Sequence, residues 1–467
     1  MATGTGEDSE SAPLLERDRD FEHEAVYKRF SPIQKRWIIT MVSLCELLPR
    51  FMSGTFIPSI PEIARDLDST GEVISLGVSL YLLVNALGCM LWATYSAFYG
   101  RRPVYLISLT FQCIGSLGIA TSRSVASLLF FRVLQAFGAS SGVSIGLSVV
   151  GDVFKLEERG TASGIFFASV YVGPVLAPVI GGFMAQYYSW RIMQLVLFIS
   201  GLTILTIVSL FLPETIHPGT RGLDSLQTGK RRWVWLNPFK SLALLRSPNV
   251  TIVAMASGLT ALTDYALLVP IAYTIGKRYG INNAAIIGAL FIPNGFGNLT
   301  GAPFGGRFSD MVVIKMRQRR GGVWVPEDRL RITLHSISLV APLCLLLCGV
   351  FVTYVEGTLG IVLNLTMFFI NGFRVDFILS PAAAYGVDIL HSRSAEVAAA
   401  TMALRGLIVA SCTSMILPTI NAFGILNFYA ITSCLGWAGL GLLWSVVAYG
   451  DRMRAYAEVG YSTVRDN

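Results

Sequence analysis

Apolar stretches alternate with short polar segments along most of the chain. Each stretch has about the 20 residues that an α-helix needs to cross a bilayer. The pattern therefore predicts an all-α membrane protein with twelve transmembrane helices. The predicted spans cover residues 37–58, 73–95, 104–121, 125–150, 161–185, 192–212, 250–274, 284–304, 333–353, 358–381, 396–419 and 425–449.

A longer polar interval, residues 216–248, separates the first six spans from the last six. We therefore expect two six-helix bundles, residues 36–215 and 249–450, joined by a cytoplasmic linker, as in transporters built from parallel repeats. Residues 1–35 are polar and carry charges of both signs, which predicts a disordered cytoplasmic tail. A second cytoplasmic tail is expected over residues 451–467.

Basic residues are concentrated in alternate loops, and the positive-inside rule places those loops in the cytoplasm. Both termini are therefore predicted to be cytoplasmic. The plasma membrane is the expected location, with the vacuolar membrane as the alternative. The basic loops contain Lys35, Arg36, Arg101, Arg102, Lys155, Arg159, the run 230–232, the segment 315–331, Arg393, Arg452 and Arg454.

The composition agrees with a membrane protein, since 53% of the 467 residues are hydrophobic and only 14% are charged. The seven cysteines lie in apolar stretches and the four histidines are scattered, so we expect no metal site and no disulfide framework. The chain lacks the Gly-x-x-x-x-Gly-Lys-Ser/Thr pattern of a nucleotide-binding loop. We expect no cofactor and no nucleic-acid partner.

Charged residues inside the predicted spans are candidates for function, because a charge at the bilayer centre costs at least about 2.5–3.5 kcal/mol. Glu46 and Arg50 are four residues apart, on one face of the first span. They are either a self-neutralising structural pair, or Glu46 carries a coupling proton with Arg50 as its partner. Arg132 is either a second cationic partner or a structural tie between spans.

The second half carries a similar set of charges. Arg374 and Asp376 are two residues apart on a helix, so we expect them to contact different neighbours. Asp264 is a second candidate proton carrier, and Arg405 is assigned a structural or gating role. Arg50 and Arg374 place one arginine in each half, which suits a substrate with carboxylates, because guanidinium binds carboxylate through two hydrogen bonds.

Residues 164–182 contain four glycines and two prolines in an apolar stretch. Inside a helix glycine costs about 1 kcal/mol and proline about 3 kcal/mol relative to alanine. In a membrane, small residues let two helices approach closely, and neighbouring helices satisfy the carbonyls that proline frees. We expect tight packing at Gly181 and Gly182 and a bend at Gly173-Pro174, although a plain packing helix also fits the spacing.

This glycine pattern resembles the antiporter motif in the fifth span of major facilitator exporters. The loop that begins at Gly100 with Arg101 and Arg102 resembles the motif between spans 2 and 3 of that family. Ala97 stands where the family motif has an aspartate. The second half repeats the motif more completely, from Gly305 through Arg307 to Asp310.

Two further segments extend the resemblance. Arg132 and Gln135 match the Arg-x-x-Gln-Gly motif of span 4, with Ala136 where glycine is usual. Pro213-Glu214-Thr215 is similar to the end of span 6 in fungal drug:proton antiporters. Over residues 36 to 450 the chain resembles the twelve-span drug:proton antiporters of fungi.

The resemblance implies two bundles that rock around a central cavity and export a small solute in exchange for protons, with no enzymatic activity. The expected solute is an organic acid or secondary metabolite, such as itaconate, because fungal itaconate exporters belong to the wider family. The alternative is a drug or polyamine antiporter, in which Glu46, Asp264 and Asp376 contact a cation and the arginines are structural. A monomer in the lipid bilayer is expected.

The resemblance also implies a charge network that closes the cytoplasmic side. Its expected members are Arg101, Arg102, Asp152, Arg159, Arg307 and Asp310. Ala97 removes one acceptor from the first half, so the two halves are not expected to be closed in the same way.

Overall fold

The structure, a computed structural model, describes Tyr27 and residues 29–217, 221–224, 234–334, 336–390 and 393–456. Within these ranges the chain forms helices and turns and no β-strand. The first half contains α1 (Pro32–Gly54), α2 (Phe56–Asp66), α3 (Gly71–Tyr99), α4 (Arg101–Ala120), α5 (Val125–Ala139), α6 (Gly142–Val153), α7 (Leu156–Tyr187) and α8 (Trp190–Phe211).

A 3₁₀-helix, Pro238–Arg246, leads into the second half. A π-helical turn, Ala272–Gly276, follows the first helix of this half, and a 3₁₀ turn, Ile332–Leu334, precedes α13. The helices are α9 (Pro248–Leu268), α10 (Ala284–Ala289), α11 (Ile292–Arg319), α12 (Asp328–Arg331), α13 (Ser336–Tyr354), α14 (Gly357–Ile389), α15 (Ser394–Ser414), α16 (Ile416–Phe423) and α17 (Ile425–Tyr456).

Nine helical segments of the described residues are long and apolar enough to cross a membrane, so the chain is an integral multi-pass membrane protein. Three further helices, α1, α11 and α13, are of comparable length but are not among these nine. Charged residues interrupt α1, and α11 contains glycines and asparagines. The total of twelve spans therefore stays a prediction.

Each half is built from long helices that pack side by side. In the first half α1 lies along α7, and α4 packs against α5 and α8; in the second half α11 lies along α14, and α9 packs against α15 and α17. The halves meet where α3 packs against α15 and where α7 packs against α10 and α11.

The bundle has two distinct ends. The basic loops lie on the side where α1 starts and where α3 and α17 finish, and we call this side the basic end. We call the other side the opposite end. At the opposite end the halves are in direct contact, because Asn421 donates to Glu72 and the Ala284 amide donates to Gln186 over 2.8 Å.

The glycines of α7 allow this close packing. A Cβ at Gly173 would collide with the side chain of Arg50, and one at Gly182 would collide with the Ala284 carbonyl of the other half. Gly181 packs on the backbone of Thr55, whereas Gly164 faces open space. Because α7 is helical from Leu156 to Tyr187, through Pro174 and Pro178, it is one unbroken helix, and the predicted bend stays a prediction.

The ends of the predicted bundles differ in detail from the sequence boundaries. The first helix already begins at Pro32, because Ser31 and Gln34 form a capping box. Arg29 donates to the Thr215 carbonyl over 2.6 Å, so part of the segment assigned to the tail contacts the start of the linker. Most of the predicted tails and the basic run 230–232 lie outside the described residues.

Candidate functional site

Five partly buried polar side chains from both halves interact electrostatically with one another, and we call them the central cluster: Arg50, Tyr171, Tyr265, Asp376 and Arg405. Asp376 interacts electrostatically with both Arg405 and Arg50. Tyr171 and Tyr265 interact with the same two arginines. The centre of the molecule therefore combines two guanidinium groups, one carboxylate and two phenols.

Glu46 and Arg50 form the ion pair that their spacing predicts. Arg50 Nε lies 2.8 Å from Glu46 Oε1, and the Glu46 side chain is 2% exposed whereas that of Arg50 is 37% exposed. Gly142, at the start of α6, leaves the room that the Glu46 carboxylate occupies. The carboxylate is therefore enclosed, while the guanidinium reaches the central cluster.

Asp264, on α9, is surrounded by three carboxamides. Its carboxylate accepts hydrogen bonds from Asn371 over 2.8 Å, from Asn294 over 3.0 Å and from Asn298 over 3.2 Å. Two of these asparagines are on α11 and one is on α14. We call this arrangement the asparagine cradle.

Arg374 lies on α14 and is 0% exposed. Within the described part of the chain none of its three guanidinium nitrogens has a hydrogen-bond partner. The groups that act on it electrostatically are Asp264 and Cys344. Arg374 and Asp376 share Asp264 as an electrostatic neighbour and differ in their other neighbours, so the expectation that they contact different partners stays a prediction. Arg374 is not a member of the central cluster.

Arg132 is also 0% exposed, but it has several partners. Its Nη1 donates to the Met52 carbonyl over 3.0 Å and to Gln135 over 2.6 Å. The guanidinium carbon lies 4.2 Å from the ring centre of Phe56 and 4.4 Å from that of Tyr81. These contacts connect α5 to α1, α2 and α3, which is the geometry of a structural tie between helices.

At the basic end of the first half, Arg101 pairs with Asp152 over 3.0 Å. The Glu214 carboxylate accepts hydrogen bonds from the backbone amides of Arg101 over 2.9 Å and Arg102 over 3.3 Å. This places a negative charge at the N-terminus of α4, where the helix dipole favours it. Gly100 has φ of +111° and leaves no space for a Cβ beside Glu214.

In the second half, Arg329 holds the basic end together. It lies 2.7 Å from Asp310 and 2.5 Å from Asp388, so it joins α11 to α14. Arg307 of the repeated motif is exposed. The side chain of Arg159, the matching candidate in the first half, lies outside the described residues.

The loop before α12 carries a buried acid, Glu327, that contacts the end of α17. Its carboxylate accepts hydrogen bonds from the Tyr385 hydroxyl, over 3.2 Å, and from Arg454. Burial raises the pKa of Glu327, and the charge of Arg454 opposes that rise. This contact ties the last helix to the loop between α11 and α13.

The sequence reasoning missed the asparagine cradle and the role of Glu327. A signal was present for the cradle, since Asn294 and Asn298 are polar residues one helical turn apart in an apolar span. Their partner Asn371 carries no such local signal.

The described residues hold no group of three or more His, Cys, Asp or Glu side chains arranged as metal ligands. All seven cysteines are free thiols, and only Cys434 is exposed.

The chain is similar in sequence to known membrane transporters. Residues 42–413 match the Major Facilitator Superfamily. The MFS antiporter QDR3 of Candida albicans is 31% identical over 218 residues, which are 47% of this chain and 29% of the relative. Citrate exporter 1 of Aspergillus niger is 28% identical over 306 residues, or 60% of this chain and 58% of the relative. Over 477 residues, the MFS-type transporter phiD of a fungal species is 27% identical, with coverage of 93% and 71%.

Solved structures show the same fold. The human organic anion transporter MFSD10 superposes with a TM-score of 0.59 at 17% identity, covering 89% of this chain and 100% of that one. A bacterial homologue of the lysosomal transporter Spinster, in an inward-facing state, gives a TM-score of 0.62 at 15% identity, covering 91% and 97%. The chain spans less than two thirds of QDR3 and of the citrate exporter, but more than two thirds of phiD.

Proposed function

Because the chain belongs to the major facilitator superfamily, a class of membrane transporters rather than enzymes, we propose that it exports a small organic acid in exchange for protons. Itaconate or a related dicarboxylate is the substrate class we favour. The observation that carries this proposal is that Arg50 and Arg405, one from each half, both act electrostatically on Asp376 in the central cluster.

Both arginines have donors to spare for a carboxylate. Within the described residues Arg50 uses only Nε, on Glu46, and Arg405 forms no hydrogen bond. Two guanidinium groups held near one another repel, and the single carboxylate of Asp376 offsets only part of that repulsion. A dicarboxylate would supply one carboxylate to each arginine through paired hydrogen bonds.

In this proposal Arg405 replaces Arg374 as the substrate-binding arginine of the second half. Arg374 was expected to bind the substrate, but its side chain is fully buried away from the central cluster in this structure. Arg405, expected to be structural or gating, lies in the cluster instead. A substrate bound between Arg50 and Arg405 touches both halves, so it favours their closure around it.

Glu46 remains our candidate for the coupling proton, with Asp376 and Asp264 as further carboxylates in the second half. The Glu46 carboxylate and its partner Arg50 are adjacent to the proposed substrate position. Protonation of Glu46 therefore changes the net charge that the substrate meets. A relative named as a citrate exporter and a fold shared with an organic anion transporter support the choice of an acid.

We further propose twelve spans in two bundles, with the basic end in the cytoplasm of the plasma membrane. The positive-inside rule supports this orientation. The contacts between the halves at the opposite end support a state closed to the outside. The ion pairs of Arg101 and Arg329 each lie within one half, so they are free to separate with their own bundles.

The test is uptake of labelled itaconate into inside-out vesicles that carry the full-length protein. We expect uptake when the vesicle lumen is acidic, because protons leaving the lumen then drive the acid in. Arg50→Ala and Arg405→Ala are each expected to lower uptake at least tenfold, which corresponds to about 1.4 kcal/mol of lost binding. Arg278→Ala, which removes an exposed guanidinium outside the cluster, serves as the matched control.

Three results would contradict the proposal. Uptake driven by acid outside the vesicles would show that acid and protons move together. Equal activity of Arg405→Ala and Arg278→Ala would remove Arg405 from the site. Gradient-driven movement of polyamines or cationic drugs without any dicarboxylate would favour the multidrug reading, which the relative named as the MFS antiporter QDR3 supports.

A further inference from the structure

Arg374 is an unusual buried charge. It is 0% exposed, and all three guanidinium nitrogens are buried without a partner in the described part of the chain. A buried ion without a partner is strongly unfavourable, whereas a paired one is tolerated. The carboxylate that acts on it electrostatically is that of Asp264, which in this structure is bonded to the asparagine cradle instead.

The partners of Asp264 are arranged at helical repeats. Asn371, which donates to Asp264, and Arg374 are three residues apart on α14, so they lie on the same face and about 4.5 Å apart along the helix axis. Asn294 and Asn298 are likewise one turn apart on α11. A carboxylate on α9 therefore faces successive donors along both neighbouring helices.

We propose that Asp264 is an exchangeable counter-ion, which leaves the asparagine cradle and pairs with Arg374 when α14 shifts by about one turn relative to α9. The cradle holds the state closed at the opposite end, and the Asp264–Arg374 pair holds the state open there. Asn371 and Arg374 are thus positioning residues for two different conformations.

The charges around this group agree with an exchange of partners. Arg374, on α14, attracts the Asp264 carboxylate electrostatically. Asp376, two residues further along α14, carries the same charge as Asp264 and repels it. Two orphan acceptors, the Oδ1 atoms of Asn298 and Asn371, are buried beside the carboxylate. The observed arrangement leaves the Arg374 guanidinium without an acceptor, and the proposed one takes the acceptor from the asparagine amides instead, so each arrangement has a cost of its own.

The inference rests on the alternating access of the proposed function but not on the substrate, and it requires a movement within the second half, because α9, α11 and α14 all belong to that half. It is tested with purified full-length protein carrying Ile287→Cys, without substrate, by the rate of labelling with a bulky maleimide. Ile287 is 6% exposed in α10, within an apolar cluster formed by both halves, so the new thiol reacts when the opposite end opens. The parent protein without Ile287→Cys corrects for the native cysteines.

The two neighbours on α14 are expected to act in opposite directions. Arg374→Gln removes the partner of the open state and slows labelling about tenfold, whereas Asn371→Ala removes a donor of the closed state and speeds it about tenfold. In an Asp264→Asn background the Arg374→Gln effect is expected to disappear, because both act through one pair.

Asn364→Ala is the matched control, since Asn364 is a fully buried asparagine on the same helix that donates to Gly360 and not to Asp264. Its labelling rate is expected to stay within twofold of the parent. Arg374→Lys keeps the cation and is expected to keep the labelling rate within about threefold, which separates charge from packing if Arg374→Gln folds poorly. Changes in the same direction for Asn371→Ala and Arg374→Gln, or rates equal to that of Asn364→Ala for both, would overturn the proposal.

Discussion

Arg132 in the first half and Arg374 in the second are both completely buried arginines in apolar helices. The guanidinium of Arg132 is bonded to the Met52 carbonyl and Gln135 and lies between two aromatic rings. The guanidinium of Arg374 has no hydrogen-bond partner among the described residues. Within the part of the chain that the structure describes, two of the three guanidinium nitrogens of Arg132 are therefore paired and only its Nη2 has no partner, whereas all three of Arg374 have none.

The difference separates two uses of a buried charge. A guanidinium whose donors are satisfied by backbone and amide groups holds helices in one arrangement, because moving any of them breaks several charge-assisted hydrogen bonds. A guanidinium without partners stabilises nothing in the state observed, so its benefit belongs to another state. We accordingly propose a structural role for Arg132 and a role in conformational change for Arg374.

The largest effect is expected for Arg132→Met. This substitution leaves the Met52 carbonyl and the Gln135 amide oxygen buried without their donor, so the free energy of unfolding should fall by about 3 kcal/mol. The measurement is thermal or chemical unfolding of the purified protein in detergent, followed by tryptophan fluorescence. A variant as stable as the parent would end the distinction between the two arginines.

A smaller loss is expected for Gln135→Ala. Gln135 accepts from Arg132 over 2.6 Å and donates to Ser116 over 2.9 Å and to Gln194 over 3.1 Å. Its removal should lower the free energy of unfolding by about 1–2 kcal/mol in the same assay, because Arg132 keeps its carbonyl partner. Gln318→Ala, which removes an exposed glutamine near the end of α11, is the control. A loss no greater than the control's would show that Arg132 does not depend on its amide partner.

Arg374→Met should leave stability unchanged or raise it by about 1 kcal/mol, since an apolar side chain of similar length replaces an unpaired buried ion. Transport in the vesicle assay is nevertheless expected to fall, because the second partner of Asp264 is gone. If the loss of stability equals that of Arg132→Met, Arg374 has structural partners in the folded state and the comparison fails.

The smallest effect is expected for Arg278→Ala. Arg278 pairs with Glu356 over 3.2 Å at the protein surface, where the Glu356 side chain is 82% exposed. Exposed ion pairs contribute less than about 1 kcal/mol to stability. The free energy of unfolding should therefore change by at most a few tenths of a kcal/mol. A larger shift would mean that arginine substitutions lower stability regardless of burial, and the values for the two buried arginines would need that correction.

Several of these features were predictable from local spacing. The Glu46–Arg50 pair follows from residues four apart on one helix, and its geometry depends on little beyond the helix itself. The packing role of Gly173, Gly181 and Gly182 follows from the need of close helices for small residues.

Other features were not predictable, because they depend on how each helix is rotated about its axis. The helices α14 and α15 are apolar nearly all round, so their sequences do not show which face turns toward the centre. The exchange of expected positions between Arg374 and Arg405 has this cause. The cradle is similar, since Asn371 lies 107 residues from Asp264 in the chain.

Hydropathy and motifs were enough to identify an apolar helical chain of the major facilitator superfamily and to place charges in its predicted membrane spans. These are local properties, since hydropathy, helix spacing and motifs are read over a few turns. Which charges act on one another depends on the packing of the helices, because Asp264, Arg374 and the central cluster have their neighbours on different helices. Sequence spacing reports neighbours along one helix, whereas the chemistry of this protein lies between helices.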